Sequence, residues 1–213
     1  METALTYAVL AVVGARLVAA ARVTWSPGGR ATVLGVLRSI RWGHVWPVPI
    51  VLAAVIGVAS LLIEVPGLDW GWWTALGGQG NPVTGTTDRT AGTVWEWLVP
   101  LVFLLLVLPS IPLFARAEER MFRLGAESWS WRRRLLKVFA FGLVHAVIGI
   151  PIGVALALSL GGAYFMAVYL HAFRRSPDQR TALMASTAAH TTYNFAILGL
   201  VLVYVVLVAF GAA

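Results

Sequence analysis

Apolar residues in this chain come in long unbroken runs. Those from Ala4 to Ala21, Val48 to Val65, Val94 to Phe114 and Ala182 to Phe210 are each long enough to cross a hydrocarbon core of about 30 Å at about 1.5 Å of rise per residue. Spans are expected over about 4–21, 47–65, from Val94 onward, and over about 182–210. The segment 28–46 has a different pattern, in which Val33, Leu34, Leu37 and Ile40 mix with Arg30, Arg38, Arg41 and Trp42. That mixture predicts a basic amphipathic helix lying on a membrane surface. Pro109 and Pro112 are expected to bend or loosen the third span, because their missing amides interrupt the helical ladder. The stretch from Lys137 to Phe173 must cross and return, with its turn at Gly149-Ile150-Pro151-Ile152-Gly153. As helix it reaches only about 55 Å, slightly short of two crossings of about 30 Å, so the hairpin is expected to be shallow or to thin the bilayer. With no internal repeat in view, the pattern predicts an all-α fold. It is a polytopic membrane helix bundle of about six transmembrane helices, forming a single integral membrane domain over residues 1–213.

Composition agrees with that class. Of 213 residues 59% are apolar and 12% charged, where a soluble domain carries about 25% charged residues. A disordered chain and an ordinary soluble domain are both excluded. The chain has no cysteine, which removes disulfides, thiolate metal sites and a cysteine nucleophile from consideration.

A net charge of +7 could signal nucleic acid, but the placement of the basic residues explains it otherwise. Arg22, Arg30, Arg38 and Arg41 follow the first span, Arg116 to Lys137 form the largest cluster, and Arg174, Arg175 and Arg180 precede the last span. The alternate loops carry only Arg89. Basic residues are retained on the cytoplasmic side, so the expected location is the cell membrane, multi-pass, with Pro66 to Thr93 outside. The expected partner is membrane lipid and not nucleic acid. Trp70, Trp72, Trp73, Trp95 and Trp97 read as interfacial anchors, as do Trp129 and Trp131 beside Arg132, Arg133, Arg134 and Lys137 on the inner leaflet. His44 and His171 are assigned to the interface. The N-terminus lacks the basic n-region of a cleaved signal and is read as a retained first span.

Charges and imidazoles at membrane depth cost about 3 kcal/mol or more each, so those that persist need a partner or a function. Three clusters meet this description: Glu118, Glu119 and Arg123; His145; and His190 with Asn194. Residues four apart share a helix face. Glu119 can therefore pair with Arg123 in the favourable order, leaving Glu118 as a separate carboxylate. His190 and Asn194 project together, and Phe141 sets an aromatic wall beside His145. Counted along their helices, the two imidazoles lie about 12 and 15 Å from the basic boundary and can occupy one layer.

These residues fall into three motifs. Glu118-Glu119-Arg120-Met121-Phe122-Arg123 fits EExxxR, Phe141-Gly142-Leu143-Val144-His145 fits FxxxH, and His190-Thr191-Thr192-Tyr193-Asn194 fits HxxxN. In this order, within membrane spans, the chain resembles the CAAX prenyl protease and bacteriocin-processing (CPBP, or Abi) intramembrane proteases over about residues 110–200, the expected catalytic core. The GxSG, GxGD and HExxH signatures of other intramembrane proteases are absent from the sequence. Leu124 stands where family members commonly have glycine, ahead of Gly125, so the helix end is expected to differ.

The resemblance implies an intramembrane endopeptidase acting on a peptide or membrane-associated protein substrate from the cytoplasmic half of the membrane. Glu118 would be the general base with His145 as its partner, and His190 and Asn194 would stabilise the oxyanion. Glu119, Arg123 and Phe141 would be support. No cofactor is favoured. The alternative within the family is zinc held by Glu118, His145 and His190 with a position left for water. Outside that activity, the same fold would serve as a catalytically silent membrane scaffold or bacteriocin-immunity factor. The intramembrane Glu and His residues would also suit a proton-coupled transporter.

Overall fold

A computed structural model describes residues 2–72 and 92–210. Trp73, Arg89 and most of the outer loop lie outside the described residues. Within them the chain is all-helical. Helix α1 (Glu2–Trp25) is followed by α2 (Pro27–Ser39), the single turn α3 (Trp42–Val45) and α4 (Val48–Leu62). Beyond the outer loop come α5 (Trp95–Val107), α6 (Ile111–Phe122), α7 (Trp131–Val144), α8 (Ile152–Arg175) and α9 (Gln179–Ala209).

Among the described residues four stretches are long and apolar enough to cross a membrane: Trp42–Leu62, Trp95–Ser128, Ile152–Arg175 and Gln179–Leu207. Large apolar side chains such as Ile50, Leu61, Leu105, Leu200 and Val203 are exposed on their outer surfaces. Water would penalise so much exposed hydrocarbon, whereas lipid solvates it. The chain is a helical membrane protein.

Local chemistry sets the helix boundaries. Ser26 accepts the Gly29 amide and Pro27 opens α2, a combination suited to a helix start. Pro109 sits in a 3-10 turn, Leu108–Ser110, between α5 and α6. The expected interruption of the third span is found there, and the Thr24 hydroxyl braces it at 2.8 Å from that of Ser110. Ser130 caps α7. The α7–α8 turn runs through a 3-10 turn, His145–Ile148, and Gly149 at φ +90°, a conformation that favours glycine. It is tied to the chain after α4 by Gly153 N to Leu68 O at 2.7 Å and Ile152 N to Trp70 O at 3.0 Å. The Trp72 indole donates to Val147 O at 3.0 Å. Trp72 is therefore a tertiary tie, where its position in the sequence suggested only an interfacial anchor.

Helix α9 is central, packing on α8, α6, α5, α4 and α2. Helices α7 and α8 cross closely because both are small at the crossing. A Cβ on Gly142 would lie 2.4 Å from Ala155 O and 2.8 Å from Ser159 N. The core between α6, α7, α8 and α9 contains Phe122, Phe141, Phe165, Ala189 and Tyr193, and the polar clusters converge beside this aromatic wall.

Candidate functional site

Glu118 and Glu119 lie on the last turns of α6 and diverge by one residue's rotation, about 100°. Glu119 turns inward and is fully buried. Its Oε1 accepts from Arg123 Nη1 at 2.9 Å, forming the expected pair. Arg123 caps α6 and is also fully buried. Its Nη2 donates to Gly162 O of α8 at 3.2 Å, and its guanidinium carbon stands 4.2 Å from the centre of the Phe141 ring. The pair thus pins the end of α6 to α8.

The structure adds a partner that spacing did not reveal. His190 Nδ1 lies 2.9 Å from the same Glu119 Oε1. A carboxylate paired with arginine only accepts, so Nδ1 carries the proton. Phe165 stacks on the His190 ring at 4.3 Å and 18°, while Phe141 meets it edge-on at 5.4 Å. His190 is consequently held by a carboxylate on one side and two aromatic rings on others.

His145 stands where α7 gives way to the 3-10 turn. Its Nδ1 lies 2.8 Å from Phe141 O. A carbonyl only accepts, so here too Nδ1 is the donor. The Phe141 ring meets the His145 ring at 5.1 Å in a T-shaped contact, the aromatic wall expected from their spacing.

With both Nδ1 atoms engaged, both Nε2 atoms face Glu118. Its Oε2 is 3.7 Å from His190 Nε2 and 4.0 Å from His145 Nε2. These separations are too long for direct hydrogen bonds but leave room for a water oxygen about 2.8 Å from each atom, off the lines joining them. Glu118 Oε2 is buried and takes no hydrogen bond from a described residue, although the side chain as a whole is 30% exposed. The site therefore has an acid oriented by the bundle and still open on one side. Asn194 follows His190 by one turn of α9 on the same face and is partly buried.

The donor set suits zinc in kind: two imidazole Nε2 atoms and a carboxylate oxygen, with Glu119 and the Phe141 carbonyl orienting the rings from behind. As placed, the donors stand slightly wider than the edge of about 3.3 Å in a zinc tetrahedron, and no group of three acidic or imidazole side chains among the described residues stands in metal-binding geometry. To reach that spacing Glu118 Oε2 would have to close by about 0.4 Å on His190 Nε2 and by about 0.7 Å on His145 Nε2.

Of the residues singled out in the sequence, Glu118, Glu119, Arg123, Phe141, His145 and His190 all meet in one cluster. Spacing within single motifs missed the tie between Glu119 and His190, the Phe165 stack and the Gly162 carbonyl. The adjacent Gly161 and Gly162 in the middle of an apolar helix were the available signal, since paired glycines mark close approach. A Cβ on Gly162 would lie 2.9 Å from the Phe141 ring. His44, assigned to the interface without a partner, accepts the Arg41 amide at 3.1 Å. No family model, curated protein or solved structure matches this chain.

Proposed function

We propose that this protein is an intramembrane endopeptidase of the kind its three motifs resemble. The observation that carries the reading is the convergence of Glu118 Oε2 on two imidazole Nε2 atoms at 3.7 and 4.0 Å, with each ring held from behind through Nδ1. In this account α1 and α7 join the four long apolar stretches to make about six crossings in the cell membrane. The basic helix ends face the cytoplasm, which puts the site in the inner half of the bilayer, where a peptide or membrane-associated protein substrate enters.

The chemistry follows from the groups. Glu118, with His145 beside it, takes a proton from water as the oxygen attacks the scissile carbonyl. The carbonyl oxygen becomes an oxyanion between His190 and Asn194, and the proton held at Glu118 passes to the departing amine as the C–N bond breaks. Because His190 Nδ1–H is committed to Glu119, donation from His190 Nε2 to the oxyanion requires a proton on both ring nitrogens. Glu119, Arg123 and Phe141 position the reacting groups.

A second reading, zinc held by Glu118, His145 and His190, is favoured by one feature: both rings are oriented through Nδ1 in the manner of metal ligands. Zinc would supply a Lewis acid and lower the pKa of a bound water. Metal content of the purified protein separates the two. About one zinc per chain, lost with activity on chelation and restored with zinc, selects the metal version.

The test of hydrolysis compares the termini of membrane proteins in cells carrying wild-type protein and Glu118→Gln at equal abundance. New termini that depend on Glu118 support the proposal and identify the substrate. Identical termini with an unchanged cellular phenotype would favour a silent scaffold or immunity factor. Proton-gradient-dependent transport in liposomes would favour a transporter.

A further inference from the structure

A second polar site lies across α6 from Glu118. Residues two apart on a helix point about 200° apart, so Arg116 and Arg120 face away from the acid. With Arg180 at the start of α9 they line a cleft of about 570 Å³ whose apolar wall includes Leu124, Leu183 and Met184. Among the described residues no carboxylate lines it. Arg116 and Arg120 form no salt bridge with any described residue. Asp178 attracts Arg180, but its Oδ2 already accepts from the Thr181 amide at 2.8 Å and hydroxyl at 2.6 Å. Gln179, which also lines the cleft, donates from Nε2 to the Glu127 carboxylate.

Guanidinium groups one turn apart repel each other. Three of them around one cleft without a facing acid create a site for an anion with several oxygen acceptors, and phosphate matches that geometry. The surroundings identify which phosphate. The cleft lies at the last turns of α6 and the start of α9, the end of the bundle at which α7 begins with the basic run Arg132–Lys137 and α8 ends with Arg174–Arg175. Its leucines and methionine offer an acyl chain a surface that inorganic phosphate has no use for. Basic clefts between helices at this level suit lipid head groups.

We propose that this cleft binds the phosphate of an anionic phospholipid from the leaflet at the basic end of the bundle. The bound head group would bridge α6, which carries Glu118 and Glu119, to α9, which carries His190. It would thereby brace the two helices that hold the acid against the imidazole. The proposal does not require that the protein be a peptidase.

The test places the full-length protein in nanodiscs of equal phosphatidylglycerol and phosphatidylcholine and counts the lipids that remain bound by native mass spectrometry. The wild type is expected to retain phosphatidylglycerol over phosphatidylcholine by about five-fold or more. Arg116→Gln/Arg120→Gln/Arg180→Gln should lose the preference, whereas Arg132→Gln/Arg133→Gln, which removes exposed charge elsewhere, should keep it. A second measurement needs no variant: in neutral detergent the wild-type unfolding temperature should rise with phosphatidylglycerol and not with phosphatidylcholine or inorganic phosphate. Absence of preference in the wild type overturns the proposal, as does equal loss in the Arg132/Arg133 variant. Stabilisation by inorganic phosphate equal to that by the lipid would assign the cleft to a free anion and overturn the lipid assignment.

Discussion

Arg123→Met tests whether the buried ion pair organises the site. Methionine approximates the volume of the arginine stem but donates no hydrogen bond. The change strips Glu119 of a guanidinium at 2.9 Å and Gly162 O of a donor at 3.2 Å. Glu119 is fully buried, so its carboxylate cannot turn to water and keeps only the neutral donors His190 Nδ1 and the Ser186 hydroxyl. Breaking a buried pair by removing one partner costs about 3–5 kcal/mol, because the other charge is left uncompensated. Glu119→Gln should cost a similar amount by taking the paired carboxylate from a buried guanidinium set among Phe122, Phe141 and Phe165, which then keeps the Gly162 carbonyl and the more distant Glu118. The double variant Glu119→Gln/Arg123→Met removes both charges, and its cost should fall below the sum of the singles by about 2 kcal/mol. Unfolding by increasing dodecyl sulfate in mixed micelles, followed by tryptophan fluorescence, gives all three values. A cost under about 1 kcal/mol for Arg123→Met, or a double variant additive within about 0.5 kcal/mol, would refute the reasoning.

Three further outcomes follow from named contacts. Gly142→Ala drives a methyl group into the α8 backbone at Ala155 and Ser159; it should cost about 1–3 kcal/mol and loosen His145, read as lower stability in the same titration and a weakened Phe141–His145 ring-current shift. Tyr169→Phe removes the donor to Glu127 Oε2 and the acceptor for the Gly125 amide; a loss of about 1–2 kcal/mol with faster proteolysis at the α6–α7 turn is expected, and unchanged proteolysis would count against that lock. Nitrogen-15 spectra should show Nδ1 protonated in both His145 and His190, since each faces an obligate acceptor; a proton confined to Nε2 in either ring would contradict the assigned orientation.

What could be read in advance divides by the range of the interaction. The long apolar runs and the break at Pro109 were legible, since hydrophobic length and a missing amide act without tertiary partners. So was the Glu119–Arg123 pair, one helical turn apart. The meeting of Glu119 with His190 was not legible, because it joins residues 71 apart in sequence and depends on how α6 lies against α9. The position of His145 at the end of α7, and not within a longer helix, follows from Gly149 taking φ +90° and from the tie to Leu68 and Trp70. The glycine marked the turn, but nothing in its neighbourhood indicated that the chain after α4 would brace it.

The most direct test of the central claim uses the purified protein in liposomes, with a peptide spanning a terminus that differs between wild-type and Glu118→Gln cells, incubated in oxygen-18 water. The account predicts cleavage at that bond with one heavy oxygen in the new carboxyl terminus, and a fall of about a hundred-fold or more for Glu118→Gln at unchanged unfolding stability. Cleavage by Glu118→Gln within a few-fold of wild type, or none by the wild-type protein, would contradict it.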